Sequence, residues 1–84
     1  MFWYVYIARA KTGLYYTGIA IDPQKRIIEH NSGIGAKFAH DQGQLTLLYV
    51  SPPFPKQSLA RLRELQIKGW SRWKKEKLIN GEWK

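Results

Sequence analysis

The sequence predicts an α/β (α+β) fold, a small three-stranded antiparallel sheet flanked by helices in the order β-β-α-β-α-α. Two aromatic and β-branched runs near the N-terminus are separated only by Lys11-Thr12-Gly13, which favours a hairpin. A third apolar run, LTLLYV, follows one helical segment and precedes two more. Strands and helices in this order pack as a sheet covered by helices. A chain of 84 residues is long enough for one domain, which we expect to span residues 1–84.

The first half of the chain contains the hairpin and one helix. We expect the strands at residues 2–8 and 14–20, where Tyr, Val, Ile and Trp are frequent. Asp22-Pro23 then begins a helix, because aspartate caps free backbone amides and proline suits the first helical position. This helix is expected to end near Asn31.

The second half contains one strand and two helices. Residues 35–44 are expected to form a loop, and residues 44–51 a strand. The proline-rich residues 52–55 mark a connection, since proline donates no backbone hydrogen bond. We expect helices over residues 58–68, with Leu59, Leu62 and Leu65 on or near one face, and from a Ser71 cap through residue 79.

Positive charge is concentrated in the C-terminal part of the chain. The net charge is +8, of which residues 56–84 contribute +6 with nine Lys and Arg and three acidic residues. Such a balance favours a polyanionic partner, most simply nucleic acid. The alternative is a positive surface that only keeps the protein in solution.

The composition excludes several kinds of site. The chain contains no cysteine, so it has no disulfide and no thiolate metal site, and its two histidines argue against a zinc site. This composition fits a cytoplasmic setting. No apolar run reaches the roughly 20 residues of a membrane span, so we expect no membrane partner, and MFWYVYIARA reads as a strand rather than a leader. No glycine-rich phosphate loop is present. An enzyme built from this chain must use Tyr, Arg, His, Glu and a hard cation.

Short motifs in a fixed order give the sequence a family resemblance. Tyr4-Val5-Tyr6 is followed by Tyr16-Thr17-Gly18, then by Arg26 eight residues after Gly18, and by His30 four residues later. Together with "EHNSGIGAKFA" and "RELQIKGWSRWKKEKLI", this series resembles the GIY-YIG nuclease family, in particular its small single-domain bacterial branch. The resemblance covers roughly residues 3 to 79.

The resemblance implies an endonuclease that hydrolyses phosphodiester bonds with Mg²⁺ or Mn²⁺. The catalytic residues that it implies are Tyr6, Tyr16, Arg26, His30 and Glu64, with Glu64 as the metal ligand, and we expect Tyr6, Tyr16, Arg26 and Glu64 to open onto one concave face. Physical chemistry supports these types, because one carboxylate suffices for Mg²⁺ beside water and phosphate, and a guanidinium binds phosphate through two hydrogen bonds. Tyr6 is a candidate general base if a neighbouring cation draws off its proton. The expected substrate-binding residues are Lys37, His40, Lys74 and Lys75.

The chain departs from the family pattern in one loop. It reads Lys37-Phe38-Ala39-His40 where the small branch usually has Lys-Tyr-Thr-Arg, so two hydroxyls and an arginine are replaced together. This departure favours an alternative, a nucleic-acid-binding module with the same fold and little or no turnover. No added DNA-targeting domain is recognisable, so we expect a protein that acts on the structure of its substrate rather than its sequence, works through a protein partner, or binds weakly.

Each candidate residue also has a purely structural interpretation. Tyrosines in aromatic strands commonly pack in a core, and Arg26 could pair with Glu29 on a solvated helix face. Glu64 precedes Lys68 by four residues, the favourable order for a surface ion pair. Trp70 and Trp73 could stack on unpaired bases or pack against the sheet.

Overall fold

A three-stranded antiparallel sheet forms the centre of the computed structural model, which describes residues 1–32 and 44–83. The strands are β1 (Tyr4–Ala10), β2 (Tyr15–Ala20) and β3 (Leu45–Val50), in the spatial order β2-β1-β3. β1 is therefore central and pairs antiparallel with both neighbours. The predicted fold class is confirmed. The first strand begins two residues later than expected, because Trp3 instead bridges Phe54 in the proline-rich connection.

Three helices accompany the sheet within the described residues: α1 (Pro23–Asn31), α2 (Gln57–Lys68) and α3 (Arg72–Ile79). Two of them begin at the side-chain caps that the sequence predicts. Asp22 accepts a hydrogen bond from the backbone amide of Lys25 at 3.2 Å, and Ser71 accepts one from that of Lys74 at 3.3 Å. None of the helices in the described ranges is long and apolar enough to cross a membrane.

The sheet is covered by apolar side chains on both faces. On one face, Val5, Ile7 and Ile19 pack with residues of α2 and α3. On the other face, Tyr6 and Ala8 pack with Ile27 of α1. Because successive strand residues point to opposite faces, β1 is apolar at nearly every position.

The inward face of α2 differs from the one that its leucines suggest. Leu59, Leu62 and Leu65 are exposed, so they do not form the face that packs on the sheet. The buried residues are instead Ala60, Glu64 and Ile67, spaced by four and three residues. A carboxylate therefore occupies the middle of the buried face of α2.

A side-chain amide joins α1 to β3. Asn31 donates a hydrogen bond from Nδ2 to the carbonyl of Leu45 at 2.9 Å and accepts one from the Leu45 amide at 2.8 Å. These bonds connect the end of α1 to the first residue of β3. The predicted loop at 35–44 lies almost entirely outside the described residues.

Candidate active site

The phenol of Tyr6 lies across the backbone of Gly18. The two residues face each other in the antiparallel register of β1 and β2. A Cβ placed on Gly18 would lie 2.7 Å from Tyr6 Oη and 2.9 Å from Cζ. Only glycine at position 18 leaves room for the Tyr6 ring. The last residue of the first motif therefore packs directly on the last residue of the second.

Tyr16 lies beside Tyr6 on the same face of the sheet. The ring centroids are 6.1 Å apart and the rings are tilted by 48°. Tyr6 is only 2% exposed, whereas Tyr16 is 36% exposed. Burial, and then the neighbouring Tyr16, raise the pKa of Tyr6.

The charges of Arg26 and Glu64 also affect the pKa of the Tyr6 hydroxyl. Burial raises the pKa of Tyr6 well above the ordinary tyrosine value, and Tyr16 raises it further. The positive charge of Arg26 lowers this pKa, and the negative charge of Glu64 raises it slightly. The net effect keeps the proton on Tyr6, which is the opposite of what a general base at neutral pH requires.

Arg26 and His30 occupy successive turns of one face of α1. The four-residue spacing and the helix from Pro23 to Asn31 place them there. Arg26 is exposed, and His30 is half-buried with its Nε2 atom buried. Arg26 also lines a groove of about 290 Å³ with Trp3 and Lys25, which neither tyrosine borders.

Glu64 is the buried carboxylate of the site. The residue is 3% exposed, yet both of its oxygens contact cations. Arg61 Nη1 lies 2.6 Å from Oε1, and Lys68 Nζ lies 3.4 Å from Oε2. The Glu64–Lys68 pair that the sequence allows is therefore present, but its acidic member is buried rather than at the surface. Arg61 is a second partner that sequence reasoning missed, although its spacing of three residues was visible.

The helix that carries Glu64 packs its apolar residues on the face of the sheet opposite to the one that carries Tyr6. Tyr6 and Tyr16 lie on the face that α1 covers, while α2 packs on the other face. β2 lies at the edge of the sheet. The negative charge of Glu64 slightly raises the pKa of the Tyr6 hydroxyl. That Tyr6, Tyr16, Arg26 and Glu64 open onto one concave face stays a prediction, and the charges of Arg26 and Glu64 both act on the pKa of Tyr6.

The donor set fits a hard divalent cation held by one carboxylate. Among the described residues, no group of three or more His, Cys, Asp or Glu side chains could hold a metal ion. Mg²⁺ commonly takes one or two carboxylates and completes its shell with water and substrate phosphate. Glu64 could serve in this way if Lys68 or Arg61 moved aside. Both side chains are about half exposed, so each can turn into solvent.

The four expected substrate-binding residues are divided between two regions. Lys37 and His40 lie outside the described residues. Lys74 is exposed and Lys75 half-buried on α3. Lys74 Nζ lies 5.9 Å from the centroid of the Trp83 ring, a contact that motif matching does not reveal. The substrate-binding role of all four residues stays a prediction.

Fold and motifs together define a nuclease-type domain. A model of the GIY-YIG catalytic domain matches residues 2–77, and the chain therefore belongs to the GIY-YIG family. The predicted resemblance is confirmed.

The chain is similar over most of its length to proteins called UPF0213. It is 47% identical over 77 residues to UPF0213 protein SSP2268 of Staphylococcus saprophyticus, covering 92% of this chain and 93% of that protein. It is 39% identical to UPF0213 protein YhbQ of Escherichia coli, covering 92% of this chain and 76% of that protein. The solution NMR structure of UPF0213 protein BH0048 from Bacillus halodurans aligns with a TM-score of 0.58 at 40% identity, over 95% and 84% of the two chains.

Proposed function

We propose that this chain is a Mg²⁺- or Mn²⁺-dependent endonuclease that hydrolyses phosphodiester bonds in nucleic acid, with DNA as the expected substrate. The observation that carries the proposal is the pairing of Tyr6 and Tyr16, whose ring centroids lie 6.1 Å apart beside Gly18, within a chain that matches the GIY-YIG catalytic domain over residues 2–77. Family membership supports the reaction class. A phenol pair, a guanidinium and a carboxylate supply the kinds of group that phosphodiester hydrolysis needs.

Arg26 binds the scissile phosphate in this proposal. Its exposed guanidinium can donate two parallel hydrogen bonds to phosphate oxygens, which fixes the phosphorus for attack and neutralises charge. His30, one turn further along α1, has an imidazole that can accept or donate a proton beside this phosphate.

The tyrosine pair orients the attacking water. Tyr16 is the partly exposed member and contacts the water, while the buried Tyr6 positions Tyr16 through their ring contact. Since its raised pKa keeps Tyr6 protonated, we assign it a positioning role and not that of a general base.

Glu64 holds the metal ion. A divalent cation, when bound, supplies positive charge to the phosphate and to the leaving oxygen. Arg61 and Lys68 neutralise the buried carboxylate, and because both side chains are about half exposed, either could turn into solvent and leave an oxygen of Glu64 for a metal ion.

Recognition of the substrate depends on charge. Lys74 and Lys75 on α3, with Lys37 and His40, contact phosphates and carry no base specificity in this proposal. Targeting to a particular structure is then left to the shape of the substrate or to a protein partner. A cytoplasmic location completes the proposal.

One observation favours a second candidate, a nucleic-acid-binding module without turnover. Both Glu64 oxygens already contact cations, so the carboxylate is satisfied without a metal. The altered sequence at residues 37–40 points in the same direction.

Nicking of a supercoiled plasmid and a branched duplex, with and without Mg²⁺, separates the two candidates. We expect wild-type protein to nick only with metal. Glu64→Gln should abolish nicking, because a neutral amide is a poor ligand for a hard cation. The fold should survive, and binding without metal should persist or tighten, since a negative charge near phosphate is removed.

The matched control is Glu76→Gln, which removes a partly exposed carboxylate that pairs with Arg72 on α3. It should nick at the wild-type rate. Equal nicking by Glu64→Gln and wild type would contradict the metal role. Binding without nicking of any substrate in a panel of single-stranded, duplex, flap and branched DNA and RNA would favour the silent module.

A further inference from the structure

Three tryptophans form a cluster beside α3. The Trp83 ring packs edge-on against Trp70, with centroids 5.8 Å apart, and against Trp73 at 6.1 Å. Trp70 is partly buried and packs on the core that α2 and α3 share. Trp70 therefore holds the cluster on the folded domain, and the other two rings extend from it.

Trp73 and Trp83 stay open to solvent. Trp73 is 59% exposed and Trp83 37% exposed. Large aromatic side chains left at a surface are a frequent sign of a binding site, because burying them elsewhere would stabilise the fold. Trp83 also lies beyond residue 77, where the match to the family model ends.

Cations lie next to both exposed rings. Lys77 Nζ is 5.2 Å from the centroid of Trp73, and Lys74 Nζ is 5.9 Å from that of Trp83. We call Trp73, Trp83, Lys74 and Lys77 the tryptophan platform. It joins aromatic surface to positive charge, in the part of the chain that carries most of the net charge.

Aromatic faces and lysines together suit an unpaired stretch of nucleic acid. Bases stack on tryptophan irrespective of their identity, and lysines neutralise the flanking phosphates. In a duplex the base faces are stacked on each other, so the platform could reach only the phosphates.

We propose that the tryptophan platform binds unpaired nucleotides, so that the preferred substrate contains a single-stranded segment. Stacking on Trp73 provides the selectivity over duplex, and Lys74 and Lys77 provide affinity. Binding of unpaired nucleotides does not depend on the proposed function. The further consequence, that a single-stranded segment directs cleavage, rests on the proposed endonuclease activity.

The platform is connected to the candidate active site through α2. Arg63 neighbours Glu64 in that helix, and its guanidinium carbon lies 5.0 Å from the centroid of Trp70. Trp70 in turn contacts Trp83. A strand bound on the platform is therefore held by the same structural unit that carries Glu64.

The test measures fluorescence anisotropy of a labelled 20-nucleotide strand and of the duplex of the same sequence, in EDTA and in the Glu64→Gln background so that nothing is cut. Trp73→Ala should weaken single-strand binding about five- to one-hundred-fold, the range for loss of one stacked base, and change duplex binding less than two-fold. Trp73→Phe should keep most of the affinity. Circular dichroism checks that each variant is folded.

The matched control is Phe2→Ala, which removes another exposed aromatic ring, 53% exposed, outside the platform. It should bind both substrates as the background protein does. Equal losses for Trp73→Ala and Phe2→Ala, or equal losses on single strand and duplex, would overturn the proposal. So would binding to anionic phosphatidylserine vesicles that depends on Trp73 when binding to the single strand does not.

A separate nicking assay in the wild-type background distinguishes the two proposals. If the wild type cuts nothing but Trp73→Ala loses single-strand binding, the platform stands and the endonuclease falls. If the wild type cuts and Trp73→Ala binds the single strand normally, the platform falls and the endonuclease stands.

Discussion

The Tyr6 phenol is confined by the Gly18 backbone and lies under the influence of two opposite charges, those of Arg26 and Glu64. The sequence motifs predict that Tyr6 and Tyr16 lie close together, and the rings do. They do not predict the direction of the pKa change. The direction of the pKa change depends on how deeply the phenol is buried. Burial results from the packing of the sheet against α1, so the sequence of one strand does not reveal it.

Replacing Gly18 by alanine should displace Tyr6. The new Cβ would overlap the hydroxyl and the ring, so the phenol must move out of its buried position. We expect a loss of about 1–3 kcal/mol in the free energy of unfolding, the usual cost of overpacking, with a loss of any nicking. Urea unfolding measures the first effect.

Gly69→Ala is the matched control for this change. A Cβ there meets nothing closer than 3.5 Å, and the backbone has an ordinary helical conformation. Its unfolding free energy should stay within about 0.5 kcal/mol of wild type or rise slightly. A similar loss in both variants would refute the steric account.

The raised pKa of Tyr6 predicts a fall in stability at alkaline pH. Below about pH 10 the tyrosine is protonated in both folded and unfolded chains and adds no pH dependence. Above that pH the unfolded chain loses the proton while the folded chain keeps it, so stability falls by up to about 1.4 kcal/mol per pH unit from this group.

Tyr6→Phe isolates that contribution from those of other groups that titrate above pH 9. The variant should show a shallower decline of unfolding free energy between pH 9.5 and 11 than wild type, measured by urea titration at each pH. Parallel slopes for the two proteins would contradict the raised pKa.

At the scale of elements, local signals predict helix starts well and inward faces poorly. Asp22 and Ser71 cap the helices as expected, because capping depends only on neighbouring residues. The apolar spacing of Leu59, Leu62 and Leu65 is misleading, since α2 turns a smaller face with Ala60 and Glu64 toward the sheet. The small side chain of Ala60 permits close packing there, which only the tertiary structure determines.

The side chain of Asn31 should stabilise the packing of α1 against β3. Its two hydrogen bonds to Leu45 tie the end of α1, which carries Arg26, to β3. Asn31→Ala should lower the free energy of unfolding by about 1–3 kcal/mol, because partly buried backbone groups lose their partners. Ser32→Ala, which removes an exposed hydrogen bond to the Glu29 carbonyl, should cost less than about 0.5 kcal/mol. Equal costs would show that the Asn31 amide has no special structural role.

At the scale of the whole molecule, the concentration of positive charge in residues 56–84 predicts that nucleic acid binds there and that its affinity depends on salt. Neutralised phosphates release counterions, so affinity for nucleic acid should fall steeply between low and physiological salt. Replacing Lys74, Lys75 and Lys77 together by glutamine should weaken binding to all sequences alike. The slope of log affinity against log salt should decrease by about two, since each phosphate contact contributes about 0.7–0.9.

The matched control replaces three exposed lysines elsewhere, Lys11, Lys25 and Lys56, by glutamine. It removes the same total charge and should reduce the slope less. Equal reductions in the two variants would show that nucleic acid binds without preference for α3.

The tryptophan cluster also gives the protein an optical property. Trp83 contacts both Trp70 and Trp73 beside α3, whereas the fourth tryptophan, Trp3, lies near the start of the chain and forms a backbone bridge with Phe54. Intrinsic emission and near-ultraviolet dichroism are therefore weighted toward the C-terminal region, while far-ultraviolet dichroism averages over the whole backbone. If the domain unfolds in one cooperative step, the three signals share one midpoint. An emission change that precedes the loss of far-ultraviolet signal would instead mean that the cluster separates before the sheet unfolds.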